Sequence, residues 1–135
     1  MKEIHVVGAA ITDGNLVLAA QRSDKMKLPL KWEFPGGKIE KNETHQQALM
    51  REIYEELGVR IRVDDFLADG YSIMEDKKII LFVYNASIVE GIPKAKEHTQ
   101  LKWVEIDKIL ELDWAEADYP VCKELLKILK GYENR

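Results

Sequence analysis

The stretch REIYEELGV, Arg51 to Val59, sets three glutamates in what reads as the end of a helix. Helical neighbours lie three and four residues apart, so Glu52 faces both Glu55 and Glu56, and each like-charge pair costs roughly 0.2–0.5 kcal/mol. Gly58 reads as the residue that stops the helix, which puts the acids at the negative end of the helix dipole. Local electrostatics oppose folding on both counts. Relief has to come from positive charge: Arg51, another basic side chain, solvent or a bound divalent cation.

Working outward, helical spacing begins near Thr44. Leu49, Ile53 and Leu57 recur every fourth residue with Met50 beside them, and the acids occupy another side. Upstream, IHVVGAAI and NLVLAAQR are β-type runs joined at TDGN, a hairpin signal built on Asp-Gly. SDKMKLPLKWEFPGGKIE, residues 23–40, mixes charge, two prolines and a Gly-Gly pair. It reads as loop with a short extended piece around Lys31 to Phe34, and a loop this rich is a place for function. Downstream, VRIRV, FLADGYSI, KIILFVYNASIV and LKWVEI read as four strands. DYPVCKELLKILKGY closes the chain as an amphipathic helix on Val121, Leu125, Ile128 and Leu129, with Lys127 and Lys130 near a stop at Gly131. The expected fold class is α+β, a mixed β-sheet sandwiched between helices, formed by residues 1–135 as a single domain.

With 46% hydrophobic and 33% charged residues, 135 residues suffice for a core without disulfides. Cys122 is the lone cysteine and falls in the apolar pattern of the closing helix, so it reads as core. No apolar run approaches the roughly 18 residues a membrane span requires, and the apolar N-terminus is broken by Thr12–Asn15, unlike a signal peptide. A cytoplasmic protein with no membrane partner is expected. A net charge of −4 argues against nucleic acid as a partner. A phosphate-rich small molecule would need local help, for which metal ions are suited.

Adjacent glutamates with a third one turn away, on a rigid helix, can surround a hard cation such as Mg2+, which takes oxygen ligands and shares them with substrate phosphates. Arg51 lies four residues before Glu55 and can orient carboxylates through its planar fork. The full stretch GKIEKNETHQQALMREIYEELGV, residues 37–59, closely resembles the box of the Nudix family: Gly37, Glu43, Arg51, Glu52, Ile53, Glu55, Glu56, Gly58 and Val59 occupy all nine specified positions. The resemblance implies a Nudix fold and hydrolysis of a nucleoside diphosphate linked to another group. It also implies that Glu55, Glu56 and the Gly37 carbonyl ligate Mg2+, with Mn2+ able to substitute. Glu52 is then the general base or a further ligand, and Arg51 and Glu43 support the loop-helix geometry around the catalytic centre.

The likeness extends beyond the box. WEFPGGKIE, residues 32–40, and the placement of KEHTQLKWV, residues 96–104, are similar to the MutT branch, which implies that Glu97 completes the metal site and that Arg22 contacts phosphate. Phe34 stacks or packs near the base, or belongs to the core. The branch reads 8-oxoguanine with an asparagine where this chain has Asp118, and an ionised aspartate only accepts hydrogen bonds. The ligand would then present N–H donors, as the cytosine amine or the N7–H of oxidised guanine does; Asp118 is also placed to cap the closing helix. His98 reads as an incidental loop residue, and Trp32, Trp103 and Trp114 as core or pocket wall. The activity implied is Mg2+-dependent hydrolysis of nucleoside triphosphates to monophosphate and pyrophosphate by a monomer or homodimer. The alternatives are a dinucleoside polyphosphate or nucleotide-sugar hydrolase, and a nucleotide-sensing domain without catalysis.

Overall fold

The computed structural model describes residues 1–133. A long first strand, β1 (Lys2–Asp13), turns at Gly14 into β2 (Leu16–Gln21); Gly14 has φ 61°, the left-handed conformation that the Asp-Gly signal anticipates. Two short strands follow, β3 (Trp32–Glu33) and β4 (Gly36–Lys38), then helix α1 (His45–Leu57), strands β5 (Arg60–Met74), β6 (Lys77–Glu90) and β7 (Gln100–Glu105), a 3₁₀ turn (Ile106–Glu111) and helix α2 (Tyr119–Glu133).

The strands form one mixed sheet in the order β3-β2-β1-β6-β5, with β4 on β1 and β7 on β2. β1 and β6 run parallel, from Lys2↔Lys77 to Ile11↔Ala86, and the other pairings are antiparallel. Strand alternation sorts the side chains into two cores. Val7, Ala9 and Ile11 of β1 join Leu18 of β2 under Leu49, Ile53 and Leu57 of α1. Ala10, Val17 and Ala19 face the opposite way, toward Val121, Cys122 and Leu125 of α2. The sheet thus lies between the two helices, the expected α+β arrangement.

Helix α1 is bounded as its sequence demands. The Thr44 side chain accepts the Gln47 N–H and the Gln47 side chain accepts the Thr44 N–H, a reciprocal cap. Gly58 ends the helix with φ 72° and donates its N–H to the Tyr54 carbonyl.

Four expectations are corrected. VRIRV and FLADGYSI are one strand, because register shifts between Val63 and Ala68 absorb the Asp64–Asp65 pair as bulges instead of ending the pairing. Helix α2 runs through Gly131 to Glu133; a helical glycine costs about 1 kcal/mol but does not oblige a stop. Met50 and Ile128 are exposed, each lying off the buried stripe of its helix. Trp103 is partly exposed on β7, whereas Trp32 and Trp114 are buried. Among the described residues no helix is long and apolar enough to cross a membrane.

Candidate active site

Arg51 resolves the crowding at the end of α1. Its Nε donates to Glu43 Oε2 at 2.7 Å and its Nη2 to Glu43 Oε1 at 2.9 Å, a bidentate pair. Nη1 donates to Glu52 Oε1 at 2.9 Å and to Glu55 Oε2 at 3.4 Å, and Nη2 also donates to the Lys38 carbonyl at 3.0 Å. One guanidinium therefore fastens three acids and the end of β4. The Arg51 fork, with help from the Glu40 N–H, holds the Glu43 carboxyl at about 2, and the same acids raise the guanidinium pKa in return.

The two glycines before the helix let backbone and side chain come close. A Cβ on Gly36 would lie 1.9 Å from the Val7 carbonyl oxygen, and one on Gly37 would lie 2.3 Å from the Glu52 carboxylate. Glu52 is thus pressed against β4 from one side and fixed by Arg51 from the other.

Glu56 differs from its neighbours. It points into the cavity, and its Oε2 is buried with no hydrogen-bond partner. Burial raises its pKa to about 7, opposed by His98 and reinforced by the charges of Glu52, Glu33 and Glu97. A buried carboxylate oxygen without a partner costs free energy unless something positive supplies the contact. Among the described residues, no three acidic, histidine or cysteine side chains already converge as a closed metal cage. Glu56 and Gly37 line an open cleft, Glu52 stands directly behind Gly37, exposed Glu97 is near enough for Glu56 to feel its charge, and exposed Glu55 lies beside Arg51. This all-oxygen set fits Mg2+, which keeps several waters and shares substrate oxygens and so needs no complete protein cage.

Two residues to which the sequence reading gave no role join this cleft. Glu33, on β3, accepts Arg22 Nη1 through Oε1 at 2.7 Å and bonds His98 Nε2 through Oε2 at 2.8 Å. His98 is buried at 8% exposure, which corrects its reading as an incidental loop residue, and its Nδ1 has no partner. Burial works against its charge, but the Glu33 bond and the charges of Glu33 and Glu56 outweigh it and raise the pKa. His98 stood out in the sequence only as a neighbour of Glu97; Glu33 gave no signal, because its partners are 11 and 65 residues away.

The far end of the cavity is apolar. Phe34 stacks on Trp114 with ring centroids 4.9 Å apart and is almost fully buried, so of its two anticipated roles it fills the core one while still contributing to the cavity wall. Asp118 accepts the Phe34 backbone N–H through Oδ2 at 2.9 Å, tying the start of α2 to β3. Its carboxyl is buried, and desolvation together with the charge of Glu33 pushes its pKa well above the usual range. The same surroundings disfavour the ionised form that an acceptor-only aspartate requires. Leu81, Ala117 and the buried Ser72 complete this end, and the cavity as a whole holds about 430 Å³. Gly37, Glu56, Arg22, Phe34 and Asp118 thus share one cavity wall, while Arg51, Glu43, Glu52, Glu55 and Glu97 lie behind or beside it.

Comparison with known proteins agrees with this geometry. The chain is 36% identical over 129 residues to a putative 8-oxo-dGTP diphosphatase 2 of Mycobacterium tuberculosis, covering 93% of this chain and 90% of the relative. It is 34% identical over 128 residues to the CTP pyrophosphohydrolase of Escherichia coli, covering 95% of each. The solution structure of MutT from methicillin-resistant Staphylococcus aureus superposes with a TM-score of 0.77 at 41% identity, covering 94% of this chain and 98% of that one. The NUDIX domain model matches residues 2–125. The chain belongs to the Nudix family.

Proposed function

We propose that the protein hydrolyses nucleoside triphosphates to a nucleoside monophosphate and pyrophosphate in a Mg2+-dependent reaction, clearing modified or surplus nucleotides from the cytoplasmic pool. The observation that carries this reading is the buried Glu56 carboxylate, with an oxygen lacking a partner, at one end of a cavity whose other end is apolar and carries Asp118. Phosphates belong at the first end and a base at the second. Relatives named as 8-oxo-dGTP diphosphatase and CTP pyrophosphohydrolase support the same class of substrate.

In this reading Glu55, Glu56, Glu97 and the Gly37 carbonyl hold the Mg2+, or Mn2+ in its place. When bound, the ion supplies charge neutralisation at the phosphate oxygens and a lowered pKa for the attacking water. The chain's own residues do the rest. Arg51 and Glu43 fix the Glu52 carboxylate against Gly37, where it accepts the proton of the water that adds across the phosphoanhydride. Arg22, held at Nη1 by Glu33, steadies the phosphates on the cavity wall. The apolar wall excludes water from the base. Asp118, anchored by the Phe34 N–H, reads the base edge with its other oxygen, which can accept from the amine of cytosine or the N7–H of 8-oxoguanine. Residues 1–135 act as a single catalytic domain.

The test is product analysis by ion-exchange chromatography with CTP, dCTP, 5-methyl-dCTP, 8-oxo-dGTP and dGTP in Mg2+. Monophosphate and pyrophosphate from one base class support the reading. Absence of turnover with every triphosphate overturns it.

A further inference from the structure

The part-buried contacts of Glu33 with Arg22 and His98 beside the cavity do more than fill space. Glu33 lies on a two-residue strand that pairs with the end of β2, through Ala20↔Glu33 and Gln21↔Trp32. On its other edge that same end of β2 receives β7, with Gln21↔Gln100 in register and the Thr99 N–H donated to the Gln21 carbonyl at 2.9 Å. The register leaves Glu33 between the residue that follows β2, Arg22, and His98, two residues before β7. Each carboxylate oxygen takes one of them, at 2.7 and 2.8 Å.

We propose that Glu33 is a positioning residue that couples the two halves of the active site, setting Arg22 for the phosphates and His98, with the Glu97 loop it anchors, for the metal. The inference rests on the reading of the site given above. Arg22 organises its own loop at the same time: its N–H donates to the Lys31 carbonyl at 2.8 Å, its carbonyl accepts the Leu30 N–H at 3.0 Å, and its Nε reaches the Lys27 carbonyl. A rigid loop on that side and a buried imidazole on the other meet at one carboxylate. Because His98 gives Nε2 to Glu33, its ring orientation is fixed and its Nδ1 is left buried without a partner, next in the chain to Glu97. Glu33 touches neither phosphate nor metal in this account and acts through the two side chains it holds.

The arrangement predicts a split that simple loss of packing does not produce. With CTP and 8-oxo-dGTP as substrates, the nucleotide KM is measured at saturating Mg2+, and the Mg2+ activation constant at saturating nucleotide. Arg22→Ala is expected to raise the nucleotide KM about tenfold with the Mg2+ constant within about twofold of wild type, and His98→Asn to do the reverse. Glu33→Ala is expected to raise both, and the Arg22→Ala/Glu33→Ala double variant to have a nucleotide KM within about twofold of Arg22→Ala alone, the non-additivity of residues acting through one contact. Glu33→Gln, which keeps the shape and one acceptor oxygen, should recover one of the two constants. Independent effects of Arg22 and Glu33 that multiply in KM, or a Glu33→Ala variant that moves neither constant, overturn the proposal. A readout free of turnover is the imidazole 15N spectrum of His98 in the free protein, titrated upward until the ring is neutral: the Nε2–H form in the wild type, lost in Glu33→Ala, supports the bracket, and an Nδ1–H form in the wild type overturns it. That spectrum stands even if no triphosphate is hydrolysed, so failure of the bracket and failure of the assigned reaction are told apart.

Discussion

Replacing Arg51 by Gln removes the cation that ties Glu43, Glu52 and Glu55 together at the end of α1. Four charge-assisted bonds of 2.7 to 3.4 Å to Glu43, Glu52 and Glu55 would be lost or replaced by weaker amide contacts, along with the bond to the Lys38 carbonyl. A solvent-exposed ion pair contributes about 0–1 kcal/mol, whereas removing one partner of a buried pair costs about 3–5 kcal/mol. The side chains of Arg51, Glu43 and Glu52 are 22%, 18% and 15% exposed, nearer the buried case. Repulsion among the glutamates adds roughly 0.2–0.5 kcal/mol per helical pair once the guanidinium is gone. A loss of about 3 kcal/mol is therefore expected, a fall in Tm of roughly 10 °C for a domain of this size. Arg51→Lys keeps the charge but cannot grip Glu43 with two parallel bonds while reaching the Lys38 carbonyl, so it should lose about half as much. The assay is urea and thermal unfolding followed by circular dichroism in metal-free buffer. A melting temperature for Arg51→Gln within about 2 °C of wild type, corresponding to well under 1 kcal/mol, would refute the role of Arg51 as the bracket of the helix.

Gly37→Ala puts a methyl group 2.3 Å from the Glu52 carboxylate and must displace it from Arg51; turnover should fall by about 100-fold, the scale of a misplaced catalytic group, with a smaller loss of melting temperature than Arg51→Gln, which loses every bond of the guanidinium, and retention of half the activity would contradict the placement. Burial holds Glu56 at about 7, so the folded chain keeps a proton that the unfolded chain gives up near 4.5. Stability in metal-free buffer should therefore decline as the pH rises between those values and level off above them, a slope that Glu56→Gln should abolish in unfolding curves across that range. For the same reason Mg2+ binding near pH 6 should release a proton, measurable by calorimetry in buffers of different ionisation enthalpy; heats independent of buffer would contradict it. Since the Asp118 carboxyl is pushed toward its neutral form, Asp118→Asn should keep kcat/KM on the preferred base within about threefold while Asp118→Ala loses it by more than tenfold, the difference between keeping and removing a buried hydrogen-bonding group.

The helix carrying the acids could be read from the chain because its determinants are local. Thr44 and Gln47 cap one end, Gly58 stops the other, and Leu49, Ile53 and Leu57 recur with the period that buries them. Arg51 was legible for the same reason, lying one turn from Glu55. The rest depends on contacts across the sheet. Glu33 acquires its partners only because β3 and β7 meet the same end of β2, and an acid between two aromatics carries no local mark of that. Asp118 finds the Phe34 N–H across 84 residues, and its surroundings, not its residue type, favour the neutral form. The Asp64–Asp65 pair looked like a break in β5 because a bulge, unlike a turn, has no fixed composition.

The measurement that bears most directly on the account is the turnover of Glu56→Gln with the preferred triphosphate in saturating Mg2+. The amide keeps the shape of the side chain and removes the charge of the carboxylate placed at the phosphate end of the cavity. The account predicts a fall in kcat of about 1,000-fold, near 4 kcal/mol of transition-state stabilisation, with the fold intact. Turnover within about threefold of wild type, only about 0.7 kcal/mol, would contradict the assignment of the catalytic metal to this helix.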